Sequence, residues 1–415
     1  MIATGPPNSP IPDEGFAAFS GRYAMLSHIP VQMVDGQMFT DRLWAKDLDL
    51  HMRYLPSLTL VSPLDPAAQH EGWDRVTSDN IKHVPLPMNK GWPRTILNMV
   101  QVRRTVLNIA RQHDLVHTGL AGWPFPLSFY LLQEARARNF LWLNITESIP
   151  WATDNGPRGW MGPWLDSFAR RVIQSSDLRI YTNPGFRDYF DQPSEDGMIN
   201  PASWIDESFV ADEEMIAARP TRLGSMPPKF LFAGRLTHEK GVDLLLQALK
   251  SYPADGPPIQ LDLIGEGPLL SDIDALRPSG LSVDINVLPV RSYGPSFFSL
   301  LDEYSLLLVP TRTSEQPRII YDAAIRGVPV LASDTPGNLS VIGDDLGFRF
   351  ESGDVQALTK ALTSAAANHQ SLFEMGAKAY RALSSYTHEE MHRQRSHFLR
   401  NAYLSAQHSG TQARS

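Results

Sequence analysis

The clearest alternation of apolar and polar positions in the chain runs from Lys229 to Leu249. Phe230 to Ala233 is a short apolar run of the kind buried in a parallel sheet, and Val242, Leu245, Leu246 and Leu249 then recur at the spacing of one helical face. This predicts a strand, a tight polar loop and a helix. The same alternation can be followed upstream. It predicts a first strand from Tyr23 to Val34, a helix from Arg42 to Tyr54, a strand Leu58–Pro63, a helix from Thr95 to His113 and a strand ending near Gly119. A helix from Leu127 to Arg138, a strand Phe140–Asn144, a helix from Trp164 to Ser175 and a strand Leu178–Tyr181 follow. Downstream come strands at Ile259–Ile264 and Val283–Val290, a helix around Val355, Leu358 and Leu362, and a last helix from Glu389 to Tyr403. Strands alternating with helices over the whole length place the chain in the α/β class, with parallel sheets.

A length of 415 residues exceeds one ordinary core, so two domains are predicted. The stretch from Pro193 to Pro228 is rich in proline, serine and acidic residues and marks their boundary. The predicted organisation is a flexible leader over 1–20, a first domain over 21–200, a linker over 201–228 and a second domain over 229–385. A helix over 386–404 and a disordered tail over 405–415 complete it. A formal charge of −8 argues against a nucleic-acid partner, and the lack of cysteine excludes disulfides, thiolate metal sites and a cysteine nucleophile. The proline-rich opening has no apolar h-region, and no run reaches the ~18 apolar residues of a membrane span.

The candidate chemistry sits first in the loop after Ala233. Gly234, Arg235, Lys240 and Gly241 put two cations and two glycines at the carboxyl end of a strand and the start of a helix, where open α/β sheets bind ligands. Backbone N–H groups, the helix dipole and the two side-chain charges suit a phosphate. The alternative is a solvated loop with a local Glu239–Lys240 pair. His117 ends a short strand, either as a site residue or as a packed, hydrogen-bonded histidine. Gly36 falls at a turn after the first predicted strand. Region 90–111 carries a basic excess (Lys90, Arg94, Arg103, Arg104, Arg111) beside Trp92, suited to an anionic membrane surface or simply to solvent.

Gly234-Arg-Leu-Thr-His-Glu-Lys-Gly-Val-Asp243 resembles the donor-phosphate motif of the retaining nucleotide-sugar glycosyltransferases of family 4, whose GT-B fold sets two Rossmann-like, doubly wound domains facing across a cleft. The resemblance continues in order through Leu261-Asp-Leu-Ile-Gly-Glu-Gly-Pro268, Leu306-Leu-Leu-Val-Pro310, the stretch Ser314 to Pro329 and Ser333-Asp-Thr-Pro-Gly337. It implies a hexosyltransferase of polysaccharide or glycolipid biosynthesis, taking a nucleotide-sugar donor and a saccharide or lipid-linked acceptor and needing no metal cofactor. It further implies a cytoplasmic protein with a peripheral contact at the inner face of the membrane through region 90–111, and a final helix that crosses back to the first domain.

Residue by residue, the resemblance assigns Arg235 and Lys240 to the diphosphate and His117 to the transferred sugar. Gly36 falls in the loop facing donor or acceptor, and Val290 and Arg291 in the segment that reads the base. Glu315 takes the sugar hydroxyls and Asp322 the ribose, with Gln316, Pro317, Arg318 and Ile319 between them at the opening of a helix near the phosphates. The carboxylate pair departs from the family pattern. The strict first position holds Ser314, Glu315 falls one residue late, and Asp322 stands where relatives carry glutamate. A catalytically degenerate sugar-nucleotide-binding or scaffold protein, or a phosphorylase- or epimerase-like enzyme of the same fold, is the alternative.

Overall fold

A computed structural model describes residues 15–66, 70, 72–88, 91–122, 125–136, 138–149, 151, 161–190, 197–276, 282–314 and 317–412. The described residues form two units, one from residues 15–202 together with 389–412, the other from Ser203 to His388.

The first unit is built on a seven-stranded parallel sheet of β1 (Tyr23–Leu26), β4 (Leu58–Pro63), β6 (Ile81–Leu86), β7 (Leu115–Gly119), β8 (Leu141–Thr146), β9 (Leu178–Tyr181) and β10 (Gly197–Ile199). Their order across the sheet is β10-β9-β8-β7-β1-β4-β6. Helices α1 (Arg42–His51), α2 (Trp92–Arg111) and α3 (Met161–Ser175) connect the strands. Asp41 caps α1 by accepting from Leu43 N at 3.0 Å. The α2 face of Val102, Val106 and Ala110 is buried.

Several expectations need correction here. The first strand stops at Leu26. Pro30 cannot extend a ladder, and the chain instead makes an antiparallel hairpin of β2 (Gln32–Val34) and β3 (Gln37–Asp41), joined in a small separate sheet by β5 (Trp73–Arg75). Gly36 is therefore a hairpin residue. Asp35 and Gly36 both have positive φ (50° and 78°) in a two-residue turn, the geometry for which Asp-Gly is favoured. The helix predicted from Leu127 to Arg138 is a 3₁₀ segment that ends at Glu134. The leader is packed from residue 16: Ala17 and Phe19 are buried, and Phe19 N donates to Tyr54 O at 2.9 Å. Residues 405–412, predicted to be disordered, belong to the helix α13 (His388–Gln412).

The second unit carries a six-stranded parallel sheet, ordered β13-β12-β11-β14-β15-β16. Its strands are β11 (Lys229–Ala233), β12 (Ile259–Ile264), β13 (Val283–Leu288), β14 (Leu306–Val309), β15 (Val330–Ser333) and β16 (Phe348–Phe350). The predicted face of α6 (Val242–Lys250) packs as read, with Val242, Leu245, Leu246 and Leu249 buried in one cluster with Phe230, Phe232, Leu261 and Leu306. The proline-rich stretch read as a linker holds a helix, α5 (Glu213–Leu223), capped by Asp212. Each unit is thus an α/β frame of Rossmann type, the architecture expected of GT-B. Among the described residues, no helix is long and apolar enough to cross a membrane.

Candidate active site

In the second unit the strand order reverses between β11 and β14, because later strands add on one side of β11 as β12 and β13 and on the other as β14 to β16. Ligands of open α/β sheets bind outside the carboxyl ends of the strands at such a switch point. The loop after β11 (residues 234–241) and the segment after β14 (from Pro310) lie there together. Gly241 has φ +72°, and a Cβ on it would stand 1.8 Å from Pro310 O, so only glycine permits this approach. Two further bonds tie the segments, since Arg312 N and Thr311 Oγ1 both donate to Glu239 O, at 3.0 and 3.2 Å. Arg312 also clamps Asp243, the second residue of α6, at 2.5 and 2.9 Å. Burial opposes ionisation of Asp243, yet Arg312 with His238 holds its carboxyl below the usual range.

This frame sets the cations. Arg235 is 62% exposed and reaches the buried carboxylate of Glu239 at 3.3 Å, which steadies the guanidinium without covering it. Lys240 is half-buried and makes no ion pair among the described residues, while its backbone N–H donates to Thr237 Oγ1 at 3.4 Å. The start of α6 has no side-chain cap. Gly234, Arg235 and Lys240 are thus together on one loop, as predicted. The pairing considered as an alternative, Glu239 with Lys240, gives way to Glu239 with Arg235.

Asp322 lies on the short helix α9 (Ile319–Ala324), whose first turn begins at Pro317 and Arg318. It is buried and accepts from Tyr293 Oη at 2.9 Å. Burial pushes its carboxyl up to about 7, against the Tyr293 hydrogen bond and the Arg318 charge, which lower it. Arg326 does not pair with Asp322; it binds Asp302, with Nε at 2.8 Å from Oδ1. Arg318 is exposed and stacks over the Trp204 ring, 5.5 Å from its centroid, and Ile319 and Pro317 are half-buried. Val290 and Arg291 are exposed in the loop after β13, and Tyr293 in the same loop links them to α9. Glu315 and Gln316 lie outside the described residues. Behind the loops, Ser333 Oγ donates to Thr311 O at 2.5 Å and Asn338 Nδ2 to Ser333 O at 2.8 Å, fixing the ends of β14 and β15.

His117 belongs to the first unit, as does Gly36. It is the third residue of β7, beside Met25 of β1, at the place where that sheet also reverses its order. It is half-buried, and its Nδ1 lies 3.0 Å from Tyr23 Oη. Around it stands a network absent from the sequence reading. His392 Nε2 bonds Asp47 Oδ1 at 3.0 Å, Tyr54 Oη bonds His392 Nδ1 at 3.2 Å, and His51 Nδ1 lies 2.8 Å from Asp47 O. Burial, then His51 and Arg395, depress the His117 pKa well below the ordinary value, with Asp47 opposing, so its imidazole is neutral at pH 7. Burial likewise raises the Tyr23 hydroxyl, which stays protonated. The residues sequence reasoning missed are Tyr23, Tyr293, Glu239 and Arg312. For Arg312 and Glu239 the available signal was their place in adjoining motifs; Tyr23 carried none.

Residues 216–382 match the family model described as glycosyl transferases group 1. Among curated proteins, the chain is 27% identical over 193 residues to an exopolysaccharide phosphotransferase of Streptomyces coelicolor (43% of this chain, 20% of that protein). It is 29% identical over 147 residues to spore coat protein SA of Bacillus subtilis (34% of this chain, 38% of that protein). The chain therefore spans about a fifth and two fifths of the length of these relatives. Among solved structures, it resembles sucrose-phosphate synthase from Thermosynechococcus elongatus with a TM-score of 0.67 at 15% identity, over 93% of this chain and 100% of the other. It resembles Anabaena HepE in complex with UDP-glucose with a TM-score of 0.61 at 14% identity, over 91% and 98%. The chain has the GT-B fold of glycosyltransferases, and the group 1 match falls on the unit that carries the cationic loop.

Proposed function

We propose that this chain is a retaining, family 4-like glycosyltransferase that moves a sugar from a nucleotide diphosphate-sugar to a saccharide or lipid-linked acceptor in polysaccharide or glycolipid biosynthesis. The observation that carries the reading is the meeting of the Arg235–Gly241 loop with the segment after β14 at the switch point of the second sheet. Two cations on a loop that opens a helix are suited to hold a diphosphate and to neutralise the charge that develops as it leaves, the work a divalent metal does elsewhere. Asp322, held by Tyr293, takes the ribose hydroxyls once ionised. Glu315 keeps the assignment to sugar hydroxyls by resemblance alone.

The acceptor hydroxyl oxygen forms the new bond to the anomeric carbon on the face from which the bond to the β-phosphate oxygen breaks. The departing phosphate oxygen takes the acceptor proton, and the nucleoside diphosphate leaves with it. His117, neutral and fixed by Tyr23, is suited to hydrogen-bond the sugar in transfer. Proton NMR of the product formed from an α-linked donor tests this reading: an α-linked product supports it, and a β-linked product overturns the retaining assignment.

A lipid-linked acceptor is supported by α2. Its first half exposes Ile96, Leu97 (81%) and Val100 beside Arg94, an arrangement suited to a membrane surface. Arg111 is engaged by Glu134 and Arg103 by Gln133, and Lys90 lies outside the described residues, so the apolar side chains matter more here than the basic excess. Co-sedimentation with anionic vesicles is expected to fall severalfold in Leu97→Asp/Val100→Asp, and unchanged sedimentation would remove the membrane contact from the proposal.

A further inference from the structure

We propose that a polar cleft at the amino-terminal edge of the first unit's sheet is a second ligand site, one for a soluble, phosphate-rich small molecule. The cleft is open to solvent and has a volume of about 840 Å³, within the range of small-molecule sites (roughly 300–1,000 Å³). Its walls are the end of the 3₁₀ segment with Ala135, Arg136 and Arg138, the last turn of α3 with Arg171 and Gln174, and the turn Ser176-Asp177 that leads into Arg179 of β9. Apart from Arg179, the second residue of β9, these residues precede β8 and β9, so the cleft lies at the edge opposite the carboxyl ends near His117, and it is separate from the crevice in which this fold takes substrate.

Charge defines its chemistry. Four arginines line the cleft against one carboxylate, in a protein whose overall formal charge is −8. That carboxylate is already used: Asp177 Oδ1 lies 2.6 Å from Arg138 Nη2, and Oδ2 accepts Trp142 N at 2.7 Å. Arg179 is positioned by neutral acceptors, donating to Ile173 O at 3.0 Å and Ser176 O at 3.1 Å, which order its guanidinium without cancelling its charge. Arg136 and Arg171 make no hydrogen bond or ion pair among the described residues. Arg171 lies over the Phe168 ring, 5.3 Å from its centroid, so its stem is packed while its donors stay open. Two arginines fixed by the fold and two free beside them form a fork suited to several phosphoryl oxygens at once. Only Leu132 and Ala135 among the lining residues are apolar, so the cleft has no wall for a hydrophobic ligand.

Calorimetric titration of the full chain with sodium tripolyphosphate at physiological salt tests the site. Three proteins are compared: wild type, Arg235→Ala/Lys240→Ala to silence the proposed donor loop, and Arg136→Gln/Arg171→Gln. Both cleft substitutions are at exposed positions, and circular dichroism melting checks that folding is intact. The expected result is binding that persists in the donor-loop variant and weakens at least about tenfold in the cleft variant, as loss of two charge-assisted contacts requires. Binding that vanishes in the donor-loop variant, binding equal in the wild type and the cleft variant, or no binding to any of the three overturns the proposal.

Discussion

The two units use their switch points in opposite ways. In the second unit the crevice is rimmed by charge that stays in contact with solvent: Arg235, Arg318 and Arg291 are exposed, and the buried carboxyl of Asp322 is pushed toward neutrality. In the first unit the corresponding place is filled by a buried network of Tyr23, His51, Tyr54, Asp47 and His392 that ends at the half-buried His117, and burial keeps the imidazoles of His117 and His392 neutral. A crevice that must bind and release a polyanion needs mobile, hydrated cations. A histidine that is to hydrogen-bond a neutral sugar needs a fixed ring of one tautomer, which a buried network supplies. The difference teaches that, on the proposed function, the binding charge and the orienting hydrogen bonds are built in separate units.

The sharpest break in that comparison comes at Gly241. Alanine there meets Pro310 O and must adopt φ +72°, so Gly241→Ala is expected to cost about 3 kcal/mol in urea denaturation and to abolish nucleotide binding. Unchanged stability would mean that the two loops are not locked together. Next is Asp47→Ala, which strands the Nε2 donor of His392 in the first unit, while His51 Nδ1 keeps the Asp47 carbonyl, and is expected to cost about 2 kcal/mol while leaving nucleotide affinity unaltered. A loss of nucleotide affinity in that variant would show that the networks are not separate.

Asp322 sharpens the comparison through pH. Below about pH 4 its carboxyl is protonated in both folded and unfolded chains; between there and about 7 only the unfolded chain ionises, so stability falls as pH rises through that window. Nucleotide affinity should move the other way and strengthen as pH rises through about 7, because the ribose needs the ionised form. Asp322→Asn is expected to flatten both profiles, and a sloping affinity profile in that variant would assign the pH dependence to another group. The smallest effect is expected from Tyr23→Phe, which removes a single hydrogen bond to His117. Stability should fall by about 1 kcal/mol and turnover severalfold, with nucleotide affinity unchanged.

What could be read from the sequence was what is local. The β11 strand, its loop and α6 occupy consecutive residues, and the bounds of β4 and β9 follow from apolar runs with turn residues on both sides. Strand β6 escaped notice because Ile81-Lys-His-Val-Pro-Leu86 is half-exposed and contains Pro85, a composition tolerated only at the sheet edge it occupies. α5 was hidden by a proline inside it, Pro220. In the site, the cations were legible because they share one loop. The bonds that position the other groups join Tyr293 to Asp322 across 29 residues and Asp47 to His392 across 345, and no window of sequence brings such pairs together.

The central claim is that the loop after β11 holds the diphosphate of a nucleotide-sugar. Calorimetric titration with UDP, GDP, ADP and their common sugar conjugates, comparing wild type with Arg235→Ala/Lys240→Ala, tests it most directly. The account predicts selective binding of one nucleotide by the wild type and a loss of about 100-fold in the double variant, as two charge-assisted contacts to phosphate imply. Equal affinity in the two proteins, or no affinity for any nucleotide in either, would contradict it.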